Sequence, residues 1–181
     1  MARLYWELRI FKVLFVVIKK TSEKISIFVT QKNLGKMEKT TIAMACDHAG
    51  FQMKEFIKKQ LLQEGYEIVD YGTDSDASVD YPDFAHKVGE AISNGTYSVG
   101  LVLCGSGNGV NMTVNKHKGV RSALCWNEEI ARLARAHNNA NVCALPARFI
   151  PAQEAWRIVQ MFLNSEFEGG RHINRVNKID L

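Results

Sequence analysis

The 181-residue sequence lacks the paired cysteines that mark zinc sites and thiol-redox motifs. It contains no C-x-x-C pair, and its four cysteines lie far apart, each within an apolar run: Cys46, Cys104, Cys125 and Cys143. Widely spaced cysteines in apolar segments are typical of reduced, mostly buried thiols in a cytosolic protein. We therefore predict free thiols and no bound metal.

The sequence also lacks an apolar run long enough to cross a bilayer, which takes roughly 20 residues. Residues 10–18 are apolar, but the run is short and Lys12 interrupts it. A basic start before an apolar segment also suggests a signal peptide, although Lys19 and Lys20 follow directly and no small-residue cleavage site is present. The Val, Ile and Phe content of the run would equally permit a strand. No membrane partner is expected.

The body of the chain lacks the positive charge that favours nucleic-acid binding. The formal net charge is +4, but residues 1–36 carry eight Lys or Arg against two Asp or Glu, and the remaining 145 residues carry 15 against 17. The mildly acidic body predicts no nucleic-acid partner. The change in composition at Met37 suggests that residues 1–36 are an N-terminal extension from upstream sequence and that Met37 is the natural start. We expect residues 37–181 to form a single domain.

Beyond residue 36, apolar runs with the character of buried strands alternate with segments of helical periodicity. Strands are predicted at 40–46, 67–70, 99–103, 120–126 and 141–145. Helices are predicted at 51–64, from 80 to about 93, from the loop after 104 to about 116, from 127 to about 139, and in a last segment that opens at Pro151. This alternation predicts an α/β protein, a Rossmann-like three-layer α/β/α fold with a five-stranded parallel sheet.

The loop after the third predicted strand has the most distinctive pattern. The strand ends in Cys104, and three alternate glycines follow: Gly105, Gly107 and Gly109. Val110 stands where a dinucleotide fingerprint needs glycine, and no G-K-[ST] of a P-loop follows, so NAD and P-loop chemistry are not indicated. Such a loop can still cradle an anion with its N–H groups. The thiol could act there as a base or nucleophile, or Cys104 could simply be the last core residue of the strand.

Three other groups of polar residues could serve a ligand, and each also has a simpler interpretation. Asp47 and His48 end the first strand, so they should face the same crevice as the glycine loop, and Asp47 could also cap the next helix. His137, near a helix end, could be a general acid or base or a solvated residue. Arg171 and Arg175 would share one face of a helix and grip a phosphate there, or they could belong to a solvated basic tail.

Seven motifs stand in order along the body: A-C-D-H-A-G-F at 45–51, Y-G-T-D-S at 71–75, D-Y-P-D-F-A at 80–85, C-G-S-G-N-G at 104–109, N-K at 115–116, A-R-A-H-N-N-A-N at 134–141 and E-G-G-R-H-I-N-R at 168–175. Together they resemble the ribose-5-phosphate isomerase B family, which also includes galactose-6-phosphate and allose-6-phosphate isomerases. The resemblance covers residue 40 to about 176, and residues 1–36 have no counterpart in it.

The resemblance implies reversible aldose–ketose isomerisation of a sugar phosphate through an enediolate, without metal or organic cofactor. Ribose 5-phosphate and ribulose 5-phosphate of the pentose phosphate pathway are the leading pair, and a hexose 6-phosphate is the alternative. It implies a cytoplasmic homodimer or homotetramer with shared active sites, in which the C-terminal tail reaches a neighbouring subunit. A non-catalytic sugar-phosphate sensor remains the alternative of another class. A receiver-like module is disfavoured, because its third strand would end in aspartate rather than Cys104.

The resemblance also implies roles by position. Cys104 would be the base that takes the C2 proton, since one branch of the family uses a glutamate where this chain has Val110. The anion hole would be framed by Gly105, Gly107 and Gly109, with Asn111 in place of a small hydroxyl residue. Ser106 and His137 would assist ring opening. The remaining substrate-binding positions are Asp47 and Tyr81 for sugar hydroxyls, His48, Arg171 and Arg175 for the phosphate, and Asn138 and Arg148 as further site positions.

Overall fold

The computed structural model describes residues 16–21, 24–29 and 40–179, and the chain divides into two compact units, 1–38 and 39–181. In the first unit, strands β1 (Val16–Thr21) and β2 (Lys24–Val29) pair antiparallel, with Val16 opposite Val29. The end of the apolar run at 10–18 thus lies in a strand, as its β-branched residues permit. Residues 10–15 of that run lie outside the described residues. Within the described ranges, none of the helices is both long and apolar enough to span a bilayer.

The second unit alternates strands and helices, and its five strands form one parallel sheet. The elements are β3 (Thr41–Cys46), α1 (Phe51–Gln63), β4 (Glu67–Asp70), α2 (Pro82–Ser93), β5 (Val99–Cys104), α3 (Asn108–Val114), β6 (Ser122–Leu124), α4 (Glu128–Asn138), β7 (Val142–Pro146), α5 (Ala152–Asn164) and α6 (Arg171–Val176). The strand order is β4-β3-β5-β7-β6, and every pairing is parallel. The predicted fold class is confirmed.

Alternate residues of the central strands supply two cores, one on each face of the sheet. Ile42 and Met44 of β3 pack with residues of α1, α4 and α5, whereas Ala43 and Ala45 pack with residues of α2 and α3. The central strands are therefore covered on both faces, which explains why their sequences are continuous apolar runs.

Three element predictions were wrong. The strand predicted at 120–126 is observed only at Ser122–Leu124, because β6 is an edge strand that pairs with β7 alone and both ends of the predicted strand lie outside that pairing. Helix α3 ends at Val114 rather than near 116. The helix after Pro151 is not the last, since α6 follows in the polar tail, where a single buried side chain, His172, gives little periodicity.

Register and connectivity assign the polar loops to two edges of the sheet. Cys46 of β3 lies beside Leu103 of β5, and Cys104 lies beside Pro146 of β7, so these strands end together at the carboxyl edge. Helix α4 starts after β6 at this edge and ends before β7 starts, at the amino edge. With 11 residues it is about 16 Å long, enough to run back across the sheet. Helix α5 returns in the same way, so α6 follows it at the amino edge.

Candidate active site

Cys104 closes β5, and its sulfur is held by the loop that follows. The side chain packs in the core between the sheet and α2 and α3, and the residue is only 4% exposed. The main-chain N–H of Gly107 donates a hydrogen bond to its Sγ at 3.1 Å. Cys104 is therefore both a core residue and a thiol inside the glycine loop, where an N–H dipole stabilises negative charge on the sulfur.

The glycines of the loop are required by close approaches. Gly107 has φ 73°, a left-handed conformation, and a Cβ there would collide with Leu124 and lie 3.1 Å from the main-chain carbon of Leu145. At Gly109 a Cβ would lie 2.6 Å from Cζ of Tyr81. Side chains in these positions would push the loop away from β7 and from the tyrosine ring.

Two predicted substrate ligands flank the loop. The half-exposed ring of Tyr81, just before α2, lies over Gly109, and the side chain of Arg148 passes beside Gly105. The main-chain N–H of Arg148 also donates to the carbonyl of Gly105 at 3.0 Å, which ties the turn after β7 to the loop. Their polar ends can therefore reach a ligand seated on the loop.

The polar residues within the loop and the start of α3 are close to solvent. Ser106 is exposed, and its Oγ accepts a long hydrogen bond, 3.4 Å, from the N–H of Asn108. Asn111 is partly buried in the first turn of α3, where its main-chain N–H donates to the carbonyl of Gly107. Ser106 thus lies on the loop itself, whereas the side-chain Oδ1 of Asn111 accepts a long hydrogen bond, 3.5 Å, from Nδ2 of Asn115.

The turn after β3 is braced against β5, beside the glycine loop. Asp47 is 7% exposed, its N–H donates to the carbonyl of Leu103 at 3.1 Å, and its Oδ1 accepts the N–H of Gly50 at 3.0 Å. The aspartate thus secures the turn before α1 but does not cap the helix as predicted, because the N-cap is Gly50 and no side chain accepts a hydrogen bond at that cap. His48 Nδ1 accepts the N–H of Val79 at 3.4 Å, so a neutral His48 carries its proton on Nε2.

The other thiols are poor candidates for a base. All four cysteines are free and buried, as predicted. Burial raises the pKa of Cys46 to about 12. A hydrogen bond with Cys125, together with burial, raises the pKa of Cys143 well above its ordinary value. Cys46 and Cys143 therefore remain protonated near neutral pH, and only the thiol of Cys104 accepts an N–H of the glycine loop.

The polar residues in the last turn of α4 and in the segment after α5 form a second cluster, at the amino edge. His137 is 35% exposed, with its Nε2 3.6 Å from Oε2 of Glu168, and its ring stacks on His172 with centroids 4.2 Å apart. Burial and the nearby charges of His137, Arg171 and Arg175 lower the pKa of His172. Arg171 and Arg175 are exposed one turn apart on α6, on one face as predicted.

The predicted site residues therefore fall into two sets that one chain does not bring together. The strands between them are five to six residues long, which separates the edges by roughly 17–20 Å. The carboxyl-edge set comprises Asp47, His48, Tyr81, Cys104, Gly105, Ser106, Gly107, Gly109, Asn111 and Arg148. The amino-edge set comprises His137, Asn138, Arg171 and Arg175.

Sequence reasoning missed a buried ion pair beside the site. Lys54 is 1% exposed, and its Nζ donates to both carboxylate oxygens of Asp70 at 2.7 Å and to the carbonyl of Thr73 at 2.8 Å. Burial alone would raise the pKa of Asp70, but hydrogen bonds from Lys54, Lys58 and the Gly72 N–H hold it below its usual range. The signal was available, because Lys54 lies three residues before the buried Ile57 on the inward stripe of α1.

The ion pair anchors the segment that supports His48. Asp70, Thr73 and Val79 all line one open pocket of about 730 Å³, and Val79 supplies the N–H that His48 accepts. Lys54 thus fixes the start of the segment whose far end orients a predicted phosphate ligand.

A parallel sheet with a thiol-bearing glycine loop at its carboxyl edge defines a doubly wound α/β protein whose ligand crevice lies at that edge. Residues 42–179 match the sequence model of the Ribose/Galactose Isomerase family. The chain therefore belongs to this family of isomerases, and the resemblance predicted from its motifs is confirmed.

Individual relatives agree with the family assignment. The chain is 39% identical over 138 residues to ribose-5-phosphate isomerase B of Escherichia coli, across 76% of this chain and 93% of the relative. It is similar to the crystal structure of a ribose 5-phosphate isomerase from Thermotoga maritima, with 49% identity, a TM-score of 0.76, and 78% of this chain and 97% of that chain covered. A third match is the Mycoplasma genitalium ribose-5-phosphate isomerase B with bound ribulose-5-phosphate, with 43% identity, a TM-score of 0.75, and coverage of 77% and 93%.

Proposed function

We propose that this protein interconverts ribose 5-phosphate and ribulose 5-phosphate through an enediolate, with Cys104 as the base. The observation that carries the proposal is the 3.1 Å hydrogen bond from the Gly107 N–H to Cys104 Sγ, which places a thiol and an anion-stabilising loop at one point. The names of the relatives, and the ribulose-5-phosphate bound to one of them, support this choice of substrates. We place the reaction in the cytoplasm, within the pentose phosphate pathway.

Each proton and electron pair has a place in the proposed reaction. The Cys104 thiolate takes the C2 proton of the open-chain aldose, the C–H electron pair forms the C1–C2 double bond, and the carbonyl pair moves onto O1. The N–H groups of the loop at 105–109 stabilise the resulting enediolate. The O2 proton passes to O1, the C2–O2 double bond forms, and return of the proton from Cys104 to C1 gives the ketose. We propose that Ser106 in this loop and Asn111 in the first turn of α3 contact the substrate oxygens.

The residue after the loop supports the cysteine as base. Val110 is 1% exposed and packs in the core against the sheet, so neither its chemistry nor its position allows it to take a proton from the sugar. The burial of Val110 therefore supports Cys104, whose sulfur lies at the loop itself, as the base that we propose.

We infer that the amino-edge set acts in the site of a second copy of the chain. A sugar phosphate on the glycine loop can meet Asp47, His48, Tyr81 and Arg148 of the same chain. His137, Asn138, Arg171 and Arg175 lie at the opposite edge, and both arginines are exposed on one face of α6, where they are free to grip a phosphate bound to another subunit. In a homodimer or homotetramer with shared sites, the carboxyl-edge set of one chain and the amino-edge set of another would contact the same substrate.

Replacement of the proposed base tests the function. In Cys104→Ala, turnover of ribose 5-phosphate should fall by about 10³-fold, within the range for loss of a positioned base. Deuterium incorporation at C1 of ribulose 5-phosphate in D₂O, followed by NMR, should fall in parallel. Cys46→Ala is the matched control, because it removes a buried thiol from the adjacent strand and should retain both reactions.

Three outcomes would decide the matter. Exchange retained in Cys104→Ala would refute the base assignment. A wild-type protein that binds ribose 5-phosphate and exchanges no proton would be a sensor rather than an isomerase. A higher kcat/KM on allose or galactose 6-phosphate than on ribose 5-phosphate would assign the protein to a hexose substrate.

A further inference from the structure

Glu168 connects the C-terminal segment to the end of α4 beside His137, the residue expected to assist ring opening. Its main-chain N–H donates to the carbonyl of Ala136 at 3.0 Å, immediately before His137. Its carboxylate Oε2 lies 3.6 Å from Nε2 of His137 and 3.8 Å from Nε2 of His172. One glutamate is thus anchored by its backbone and directs its charge to both imidazoles.

These three side chains have the donor types of a transition-metal site, but the ring geometry opposes one. The two imidazoles stack with centroids 4.2 Å apart and planes only 8° apart. Ring-nitrogen lone pairs lie in the ring planes, so those of His137 and His172 run nearly parallel and cannot converge on one ion. Arg132, 3.9 Å from Glu168, adds positive charge beside the carboxylate. The cluster is therefore better suited to proton transfer than to metal binding.

We propose that Glu168 is a positioning residue that orients the imidazole of His137 for opening the sugar ring, an inference that rests on the proposed isomerase function. The carboxylate, 3.6 Å from Nε2 of His137, favours the tautomer that carries its proton on Nε2 and leaves Nδ1 to exchange a proton with the substrate. The stacked ring of His172, which is 5% exposed, holds the imidazole from its face.

Ring opening gives this proton a definite destination. The hydroxyl at C1 of the furanose loses its proton, the C1–O1 double bond forms, and the C1–O4 bond breaks with its electron pair on O4. O4 then takes up a proton. An imidazole with one free ring nitrogen can perform either of these two transfers. Ribulose 5-phosphate is open-chain and needs neither, so the two substrates differ in their need for His137.

That difference supplies the experiment. In Glu168→Gln, turnover of ribose 5-phosphate should fall at least about tenfold, as expected for a misplaced acid–base group. Deuterium exchange at C1 of ribulose 5-phosphate in D₂O, which needs only the enediolate step, should change less than about twofold, well short of the acid–base effect. Glu166→Gln is the matched control: an exposed glutamate two residues earlier in the same segment, whose loss should leave both reactions unchanged.

A conservative variant guards against a folding defect. Glu168→Asp keeps the charge and the main-chain N–H, so its turnover of ribose 5-phosphate should lie between those of the wild type and Glu168→Gln. Equal losses in the two reactions, or no loss in either, would overturn the positioning role, because a glutamate that only holds the tail would affect both alike. A wild-type protein without ribulose 5-phosphate exchange would instead overturn the proposed function, and the two failures are thereby distinguished.

Discussion

Replacing Gly107 by alanine should damage both the stability and the chemistry of the protein. Gly107 has φ 73°, and a methyl group there would meet Leu124 and come within 3.1 Å of the main chain at Leu145 and Pro146. The leucine side chain can move aside, whereas the backbone of β7 and the turn after it cannot. The loop must therefore shift, together with the N–H that holds Cys104 Sγ.

The chain offers a control that separates strain from collision. Gly95 has nearly the same φ, 76°, and a Cβ there would have no atom within 4 Å. Gly95→Ala should therefore cost only the left-handed strain, about 1–2 kcal/mol. Gly107→Ala adds overpacking of about 1–3 kcal/mol, so its free energy of unfolding should lie lower than that of Gly95→Ala by this second amount. Its kcat should also fall about 10²-fold, as for loss of one anion-stabilising donor.

Urea unfolding at one fixed protein concentration measures the first effect, and initial rates on ribose 5-phosphate measure the second. Equal stabilities of the two variants would show that β7 yields to the methyl group. Normal turnover in a destabilised Gly107→Ala would show that the N–H at Cys104 has no catalytic role. Either result would refute the reasoning.

Two further predictions concern the ion pair and the shared site. Asp70→Asn removes the nearer of two carboxylates from the buried ammonium of Lys54 and leaves Glu55 at 3.3 Å, so it should lower the free energy of unfolding by about 3 kcal/mol, the lower end of the range for a broken buried pair. Lys54→Met should lower the free energy of unfolding by less than half as much, because Asp70 keeps its ion pair with Lys58 at 2.7 Å. Equal losses of stability in urea unfolding of the two variants would contradict this asymmetry. Co-expressed subunits carrying Cys104→Ala and His137→Asn should regain ribose 5-phosphate turnover well above either variant alone, since each mixed pair holds one intact site. No gain in the purified mixed oligomer would contradict a shared site.

The sheet was predictable because its central strands are buried on both faces. The strand that ends in Cys104 is a continuous apolar run without alternating polar residues, and β3 and β7 have the same pattern. Parallel strands covered by helices on both faces require such a pattern. The glycine loop was recognisable because three alternate glycines have few uses other than a tight turn and close contact. The sequence does not reveal which atoms make those contacts, such as Tyr81 over Gly109.

What could not be predicted depends on partners distant in the sequence. The length of β6 is set by the number of its residues that pair with β7. The predicted strand continued to Trp126, which lies beyond this pairing and has a half-exposed side chain. The position of Lys54 on the inward stripe of α1 indicates burial, but the sequence does not identify Asp70, 16 residues later, as its partner. A charged residue on an inward helix stripe is ambiguous until the opposite charge is known.

The division of the site between two edges follows from the topology alone. In a parallel sheet with returning helices, every loop after a strand lies at the carboxyl edge and every loop after a helix lies at the amino edge. Cys104 ends a strand, whereas His137 lies at the end of a helix and Arg171 lies beyond the next one. A base and its ring-opening partner with these positions cannot serve one substrate within a single chain. If they serve the same reaction, as we propose, two chains must meet with the carboxyl edge of one facing the amino edge of the other.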